Sequence, residues 1–239
     1  MEILENVETL DLGVYIKNYK TWVISDLHLG YEESLNKRGV LIPRTQFNEI
    51  YSRIEKVLKS NEIEVIVITG DLKHEFGAIH STEWDNIISI INLFLKYAKK
   101  LVLIKGNHDV TLPFITKKKN IDLLPYYKFG YFICLHGDEI IDEIKNSKLI
   151  IMGHEHPAIG LKEKAKYEVF KCFLVGKFRN NTLIVLPSFN NLTIGTDVLR
   201  QKLLSPFLQD NLRNFSAFIV EDNKVLDFGK LKNLTNDIN

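Results

Sequence analysis

Five of the seven histidines in this 239-residue chain stand where an apolar run gives way to Asp, Asn or Gly. Residues 21–25 run into Asp26-Leu27-His28, residues 64–69 into Gly70-Asp71, and residues 101–105 into Gly106-Asn107-His108-Asp109. Residues 131–135 run into His136-Gly137-Asp138, and residues 149–152 into Gly153-His154-Glu155-His156. Read as the ends of buried strands, these clusters deliver several metal ligands to one rim. Asp26 and His28 are two residues apart, as are His154 and His156. In an extended segment each pair points to one side and grips one ion. Asp71 stands alone after its glycine, placed to bridge two such clusters. Imidazole with carboxylate suits Mn, Fe, Zn, Co or Ni better than Ca or Mg. Two divalent cations, less the charges of Asp26, Asp71 and a hydroxide, leave about one positive charge, which favours an anionic phosphate over a neutral ester.

The elements that must hold these residues follow from periodicity. Short apolar runs alternating with helical segments predict βαβ units and sheets buried on both faces. Ile50, Ile54, Val57 and Leu58 give residues 44–60 an apolar helical stripe, with Pro43 just ahead. Ser81 is the expected N-cap of a second helix over residues 81–99, with Trp84, Ile87, Ile88, Ile91 and Leu95 on its apolar face. After Pro157 strands dominate, with hairpin turns expected at residues 179–181 and 221–223, and a helical or irregular insertion near 197–214. Two sheets face to face with helices outside satisfy both halves. No linker breaks the chain, so residues 1–239 are expected to form a single domain.

Composition narrows the function classes. With 45% apolar residues the chain buries a substantial core, and a net charge of +1 argues against a bulk polyanion binder. No apolar run approaches the roughly 20 residues of a membrane span. Residues 1–11 carry four acidic residues and no basic one, unlike a signal peptide. Cys134 and Cys172 are expected as free buried thiols. A soluble cytoplasmic protein without a membrane partner is expected, as a monomer or a homodimer.

The blocks Asp26-x-His28, Gly70-Asp71-x-x-His74, Gly106-Asn107-His108-Asp109, His136 and Gly153-His154-x-His156 resemble, in order, those of the calcineurin-like metallophosphoesterases. Residues 70–76, with Gly195-Thr196-Asp197 and residues 204–207, are similar to the archaeal SbcD-related members. The resemblance implies an α/β fold, a four-layer α-β-β-α sandwich of two mixed sheets. It implies two divalent transition-metal ions, manganese first, with Fe, Ni, Co and Zn as alternatives. Asp26, His28, Asp71 and His156 would hold one ion. Asp71, Asn107, His136 and His154 would hold the other. His108 matches the catalytic histidine that stabilises the transition state or protonates the leaving oxygen, and Asp109 would orient its imidazole. His74 would ligate, touch phosphate or give hydrogen-bonding support, and Arg44, like Arg38, could reach a substrate phosphate. His80 is expected to be structural, Tyr31 and Phe76 to pack the rim, and Asp138 and Glu155 to support ligands without binding metal. The implied reaction is hydrolysis of a nucleotide or nucleic-acid phosphodiester by a metal-bridging hydroxide. Phosphomonoester hydrolysis by a protein or nucleotide phosphatase is the alternative, and a non-catalytic scaffold on the same fold is the third.

Overall fold

The structure, a computed structural model, describes residues 1–75, 81–163, 166–221 and 224–234. Phe76 and His80 lie outside the described residues. Strands β1 (Glu2–Leu4), β2 (Val7–Leu10), β3 (Gly13–Ile16) and β4 (Thr21–Ile24) form an antiparallel meander. Strands β5 (Val65–Ile68), β6 (Lys100–Ile104) and β7 (Asp122–Leu124) then extend the sheet in parallel from β4. Helices α1 (Tyr31–Lys37), α2 (Gln46–Ser60), α3 (Ser81–Tyr97) and α4 (Pro113–Lys119) fill the crossovers.

The second sheet is built from β8 (Tyr126–Phe129), β9 (Phe132–Leu135), β10 (Leu149–Met152), β11 (Pro157–Glu163), β12 (Lys166–Phe178), β13 (Asn181–Val185), β14 (Thr196–Asp197), β15 (Ser216–Glu221) and β16 (Lys224–Lys230). Its order is β14-β11-β12-β13-β10-β9-β8, with β15 beside β12 and β16 beside β15. β9, β10 and β13 run parallel, and most of the other pairs are antiparallel. Helix α5 (Leu231–Leu234) follows.

Alternate side chains of each central strand enter different layers, as the two-residue repeat of a strand requires. Trp22 and Ile24 of β4 join the core under the helices, while Val23 joins the core between the sheets. Leu149 and Ile151 of β10 enter the inter-sheet core, and Ile150 and Met152 the outer one. Both faces are apolar, which is why these strands read as unbroken hydrophobic runs.

The expected four layers are present, but unevenly. Helices α2 and α3 cover the first sheet. The outer face of the second is covered instead by 3-10 turns at Asp142–Asn146 and Pro206–Leu208 and by the single turn of α5. Phe207 and Leu208, within 197–214, are buried in that cover. In α3 the buried stripe is Ile87, Ile90, Ile91 and Phe94, whereas Leu95 is 41% exposed. The helix is apolar around most of its girth, so spacing alone did not fix which stripe turned inward. Cys134 and Cys172 are free and buried, and burial pushes both thiols up.

Candidate metal centre

β4, β5 and β6 of the first sheet and β9 and β10 of the second end on the same rim, and each hands its chain directly to one of the five clusters. The first two clusters are stitched together by their backbones. Asp26 N–H donates to the Gly70 carbonyl at 3.2 Å and His28 N–H to the Asp71 carbonyl at 2.9 Å. Asp26, His28, Asp71, His154 and His156 all adopt left-handed backbone, with φ of 55°, 45°, 51°, 66° and 49°. The extended geometry expected for the Asp26/His28 and His154/His156 pairs is therefore absent. The chain bends sharply at alternate residues, and that bend turns each pair inward. Five non-glycine residues in this region cost energy that the surroundings must offset, a pattern associated with functional sites. Gly106 is required for close approach, because a Cβ there would collide with the Asp71 carboxylate and backbone.

The donor atoms converge in two groups that share Asp71. On one side, His28 Nε2 lies 3.3 Å from His156 Nε2, and His156 Nε2 lies 3.3 Å from Asp26 Oδ1. On the other, His136 Nε2 lies 2.9 Å from Asn107 Oδ1 and 3.2 Å from His154 Nδ1. Asp71 Oδ2 stands between, 3.7 Å from His28 Nε2 and 3.5 Å from His136 Nε2. Its other oxygen accepts the His108 backbone N–H at 3.0 Å. Asp26, His28, Asp71 and His136 are buried, and His108, His154 and His156 are partly open.

A cation fits this arrangement. The Thr69 carbonyl, 2.9 Å from His136 Nδ1, fixes the ring proton on that nitrogen, so Nε2 presents a lone pair. That lone pair faces the Asn107 and Asp71 oxygens, so acceptors converge where a positive charge is needed. Burial, with neighbouring imidazoles, holds His28 well below its ordinary value and pulls His154 down to about 4. These rings are thus neutral at neutral pH, the form in which an imidazole can hold a metal ion. Burial, then the charges of Asp26 and Asp109, pushes Asp71 up to about 9. Burial also opposes the charge on Asp26, but the His156, His136 and His28 imidazoles outweigh it and hold that carboxyl low. Without a cation, then, Asp71 is the carboxyl that keeps a proton.

His108 comes to the same place. Its Nε2 lies 3.9 Å from Asp71 Oδ2, and it shares a cluster with His28 and His74. Its Nδ1 bonds the His74 carbonyl oxygen. That carbonyl occupies the orienting position expected of Asp109. The buried Asp109 carboxylate instead accepts the backbone N–H of Gly106 at 3.0 Å and of Lys73 at 3.3 Å, holding the turn that carries Asn107 and His108. His74 Nδ1 lies 3.4 Å from His28 Nδ1, and its ring packs on Tyr31 with centroids 4.2 Å apart. Burial pulls His74 down to about 4. Arg44 is exposed and gives its Nε to Glu33 at 2.9 Å, so its contact in this structure is a surface ion pair. Glu155 is buried with one oxygen on the backbone N–H groups of Leu204 and Ser205, both at 2.8 Å, which ties residues 197–214 to the rim.

Spacing left two supports unassigned. Lys171 lies in β12 and touches the loop after Leu186, and Thr69 supplies the carbonyl behind His136. Neither carries a local signal, because each acts through a partner remote in sequence.

Solved structures align with this chain to different extents. Pseudomonas putida nuclease MPE aligns at TM-score 0.64 with 18% identity over 91% of this chain and 92% of its own. Protein AQ665 of Aquifex aeolicus aligns at TM-score 0.39 with 19% identity, covering 57% and 78%. A Vps29 variant from Entamoeba histolytica aligns at TM-score 0.36 with 14% identity, covering 87% and 99%. Among curated proteins no sequence relative matches the chain. The family model for calcineurin-like phosphoesterases matches residues 19–186, from just before β4 to just beyond β13 and across all five clusters. The chain therefore belongs to the calcineurin-like phosphoesterases, metal-dependent hydrolases of phosphoesters.

Proposed function

We propose that this chain hydrolyses phosphodiesters of the nucleotide or nucleic-acid type with two transition-metal ions, manganese first among them. Asp26, His28, His156 and Asp71 hold one ion, and Asp71, Asn107, His136 and His154 the other. When bound, such a pair lowers the pKa of water and neutralises charge on phosphate oxygens. The observation that carries the reading is the placement of His108. Its imidazole reaches the shared Asp71 carboxylate, stays partly open to solvent, and has its Nδ1 held by the His74 carbonyl. With the Nδ1 proton so held, Nε2 is the atom that faces the site, and it donates to a phosphate oxygen when the ring takes up a second proton. Burial lowers the ring's pKa, while the His74 carbonyl partly restores it.

The preference for a diester rests on shape. A cavity of about 370 Å³ opens beside Asn107 and His136, lined also by Lys105, Val110, Leu135 and Ile141. Lys105 and Pro125 also line a second cavity of about 590 Å³ that reaches Lys117. These two cavities share Lys105 and Pro125 as lining, and we take this side of the centre as the place for the second substituent of a diester; the structural neighbour from Pseudomonas putida is described as a nuclease. The test is a comparison of bis(p-nitrophenyl) phosphate with p-nitrophenyl phosphate on manganese-loaded protein. Faster diester turnover supports the reading, and turnover of the monoester alone replaces it with a phosphomonoesterase.

A further inference from the structure

The ligand loop of residues 25–28 is grasped from behind by a segment that contributes no ligand. Phe189 N–H donates to the Ser25 carbonyl at 2.9 Å, and Asn190 N–H to the Asp26 carbonyl at 3.2 Å. Ser188 Oγ donates to the same Asp26 carbonyl at 3.1 Å. Asn190 Nδ2 donates to the Leu27 carbonyl at 3.1 Å and the His28 carbonyl at 3.4 Å. Four consecutive carbonyls of the loop are thus held by three consecutive residues. Ser188 and Asn190 are almost wholly buried.

That segment is held in turn. Lys171 Nζ donates to the carbonyls of Ser188 and Asn190, each at 2.8 Å. β12 and β13 pair antiparallel with Leu174 opposite Val185, and the same register carried onward sets Lys171 opposite Ser188. The chain leaves the ladder after Val185, and the Lys171 side-chain nitrogen bonds carbonyls that strand pairing no longer serves. The loop so clamped includes Asp26 and His28 in left-handed backbone, which a non-glycine residue keeps only when its surroundings dictate it.

We propose that Lys171, acting through Ser188 and Asn190, is a positioning residue that sets Asp26 and His28 to receive the first metal ion. This rests on the proposed division of the ligands into two shells. Among the proposed ligands the clasp bonds Asp26 and His28 directly and reaches the second shell only at one remove, through the Asp26 carboxylate that accepts the His154 N–H at 3.1 Å, so its loss should fall mainly on the first shell. Asn107, His136 and His154 follow the ends of β6, β9 and β10, and His136 has its own support in the Thr69 carbonyl.

The experiment is manganese titration of full-length wild type, Lys171→Met and Asn190→Ala, followed by calorimetry and by electron paramagnetic resonance of the bound ion. Loss of such a support is expected to weaken binding at one site about 10–100-fold and leave the other within about threefold. Lys171→Arg should recover part of the loss. Asn190→Ala keeps Lys171 and removes the Nδ2 donor to the loop together with the Oδ1 acceptor of the Leu192 N–H, so it serves where Lys171→Met fails to fold. Equal weakening at both sites, or a lowered metal-free melting temperature with unchanged affinities, would overturn the clasp. Wild-type protein that binds two ions with no difference between variants would also overturn it while sparing the metal centre. Wild-type protein that takes up no manganese would overturn the metal reading beneath it.

Discussion

His108 and Asp71 divide the chemistry at the scale of single residues. His108→Ala is expected to keep metal uptake and lower kcat by about 10²–10⁴-fold, because its imidazole faces the centre without being needed in either proposed shell. Metal titration beside steady-state kinetics checks this, and lost metal would move His108 into a shell. Asp71, pushed up to about 9 chiefly by burial, keeps a proton at neutral pH until a cation displaces it. Calorimetry of manganese binding at pH 7, in buffers of different ionisation enthalpy, is expected to show about one proton released per chain. The sign for stability follows. The folded-state value lies above the ordinary carboxyl value of 3.8, so in metal-free protein this contribution is full below that value. It is lost as pH rises toward about 9. Asp71→Asn removes that slope, which melting temperatures of the metal-free proteins across the window would show.

Elements set how finely the residues are held. Gly106 lies against Asp71 so closely that Gly106→Ala forces the carboxylate or the turn aside. We expect metal affinity to fall by about tenfold or more while the far-ultraviolet spectrum stays unchanged, since the substitution lies past the end of β6. Ile151, wholly buried between the sheets, belongs to a strand whose end presents His154. Ile151→Ala is expected to cost about 2–5 kcal/mol by chemical denaturation. Central strands and the α2 stripe were legible in the sequence because burial on two faces, or on one, leaves a periodic trace. The N-terminal meander was less so. Its strands are short, and Val7 and Thr9 alternate inward with Glu8 and Leu10 over only four residues. The inward stripe of α3 was misjudged at Leu95 because that helix offers more apolar positions than the sheet can take. Asp109 was read from its neighbour in sequence, yet its carboxylate turned to the N–H of Gly106 in its own turn and to that of Lys73, which only the fold brings near.

For the whole molecule, two sheets packed face to face end their strands at one rim, and neither carries all the residues of the proposed shells. The first supplies Asp26, His28, Asp71 and Asn107, and the second His136, His154 and His156. Cations between them would bind the folded chain and not the unfolded one, so metal should report on global stability. At a free concentration one hundredfold above the dissociation constant, one site adds about 2.7 kcal/mol, and chelator should remove it. Among the described residues no helix is long and apolar enough to cross a membrane. The measurement closest to the central claim is turnover of bis(p-nitrophenyl) phosphate by protein whose metal content is determined on the same sample. The account predicts hydrolysis that rises with manganese, levels at two ions per chain and disappears with chelator. Protein holding two ions of Mn, Ni, Co or Fe with no turnover of any phosphoester would contradict it.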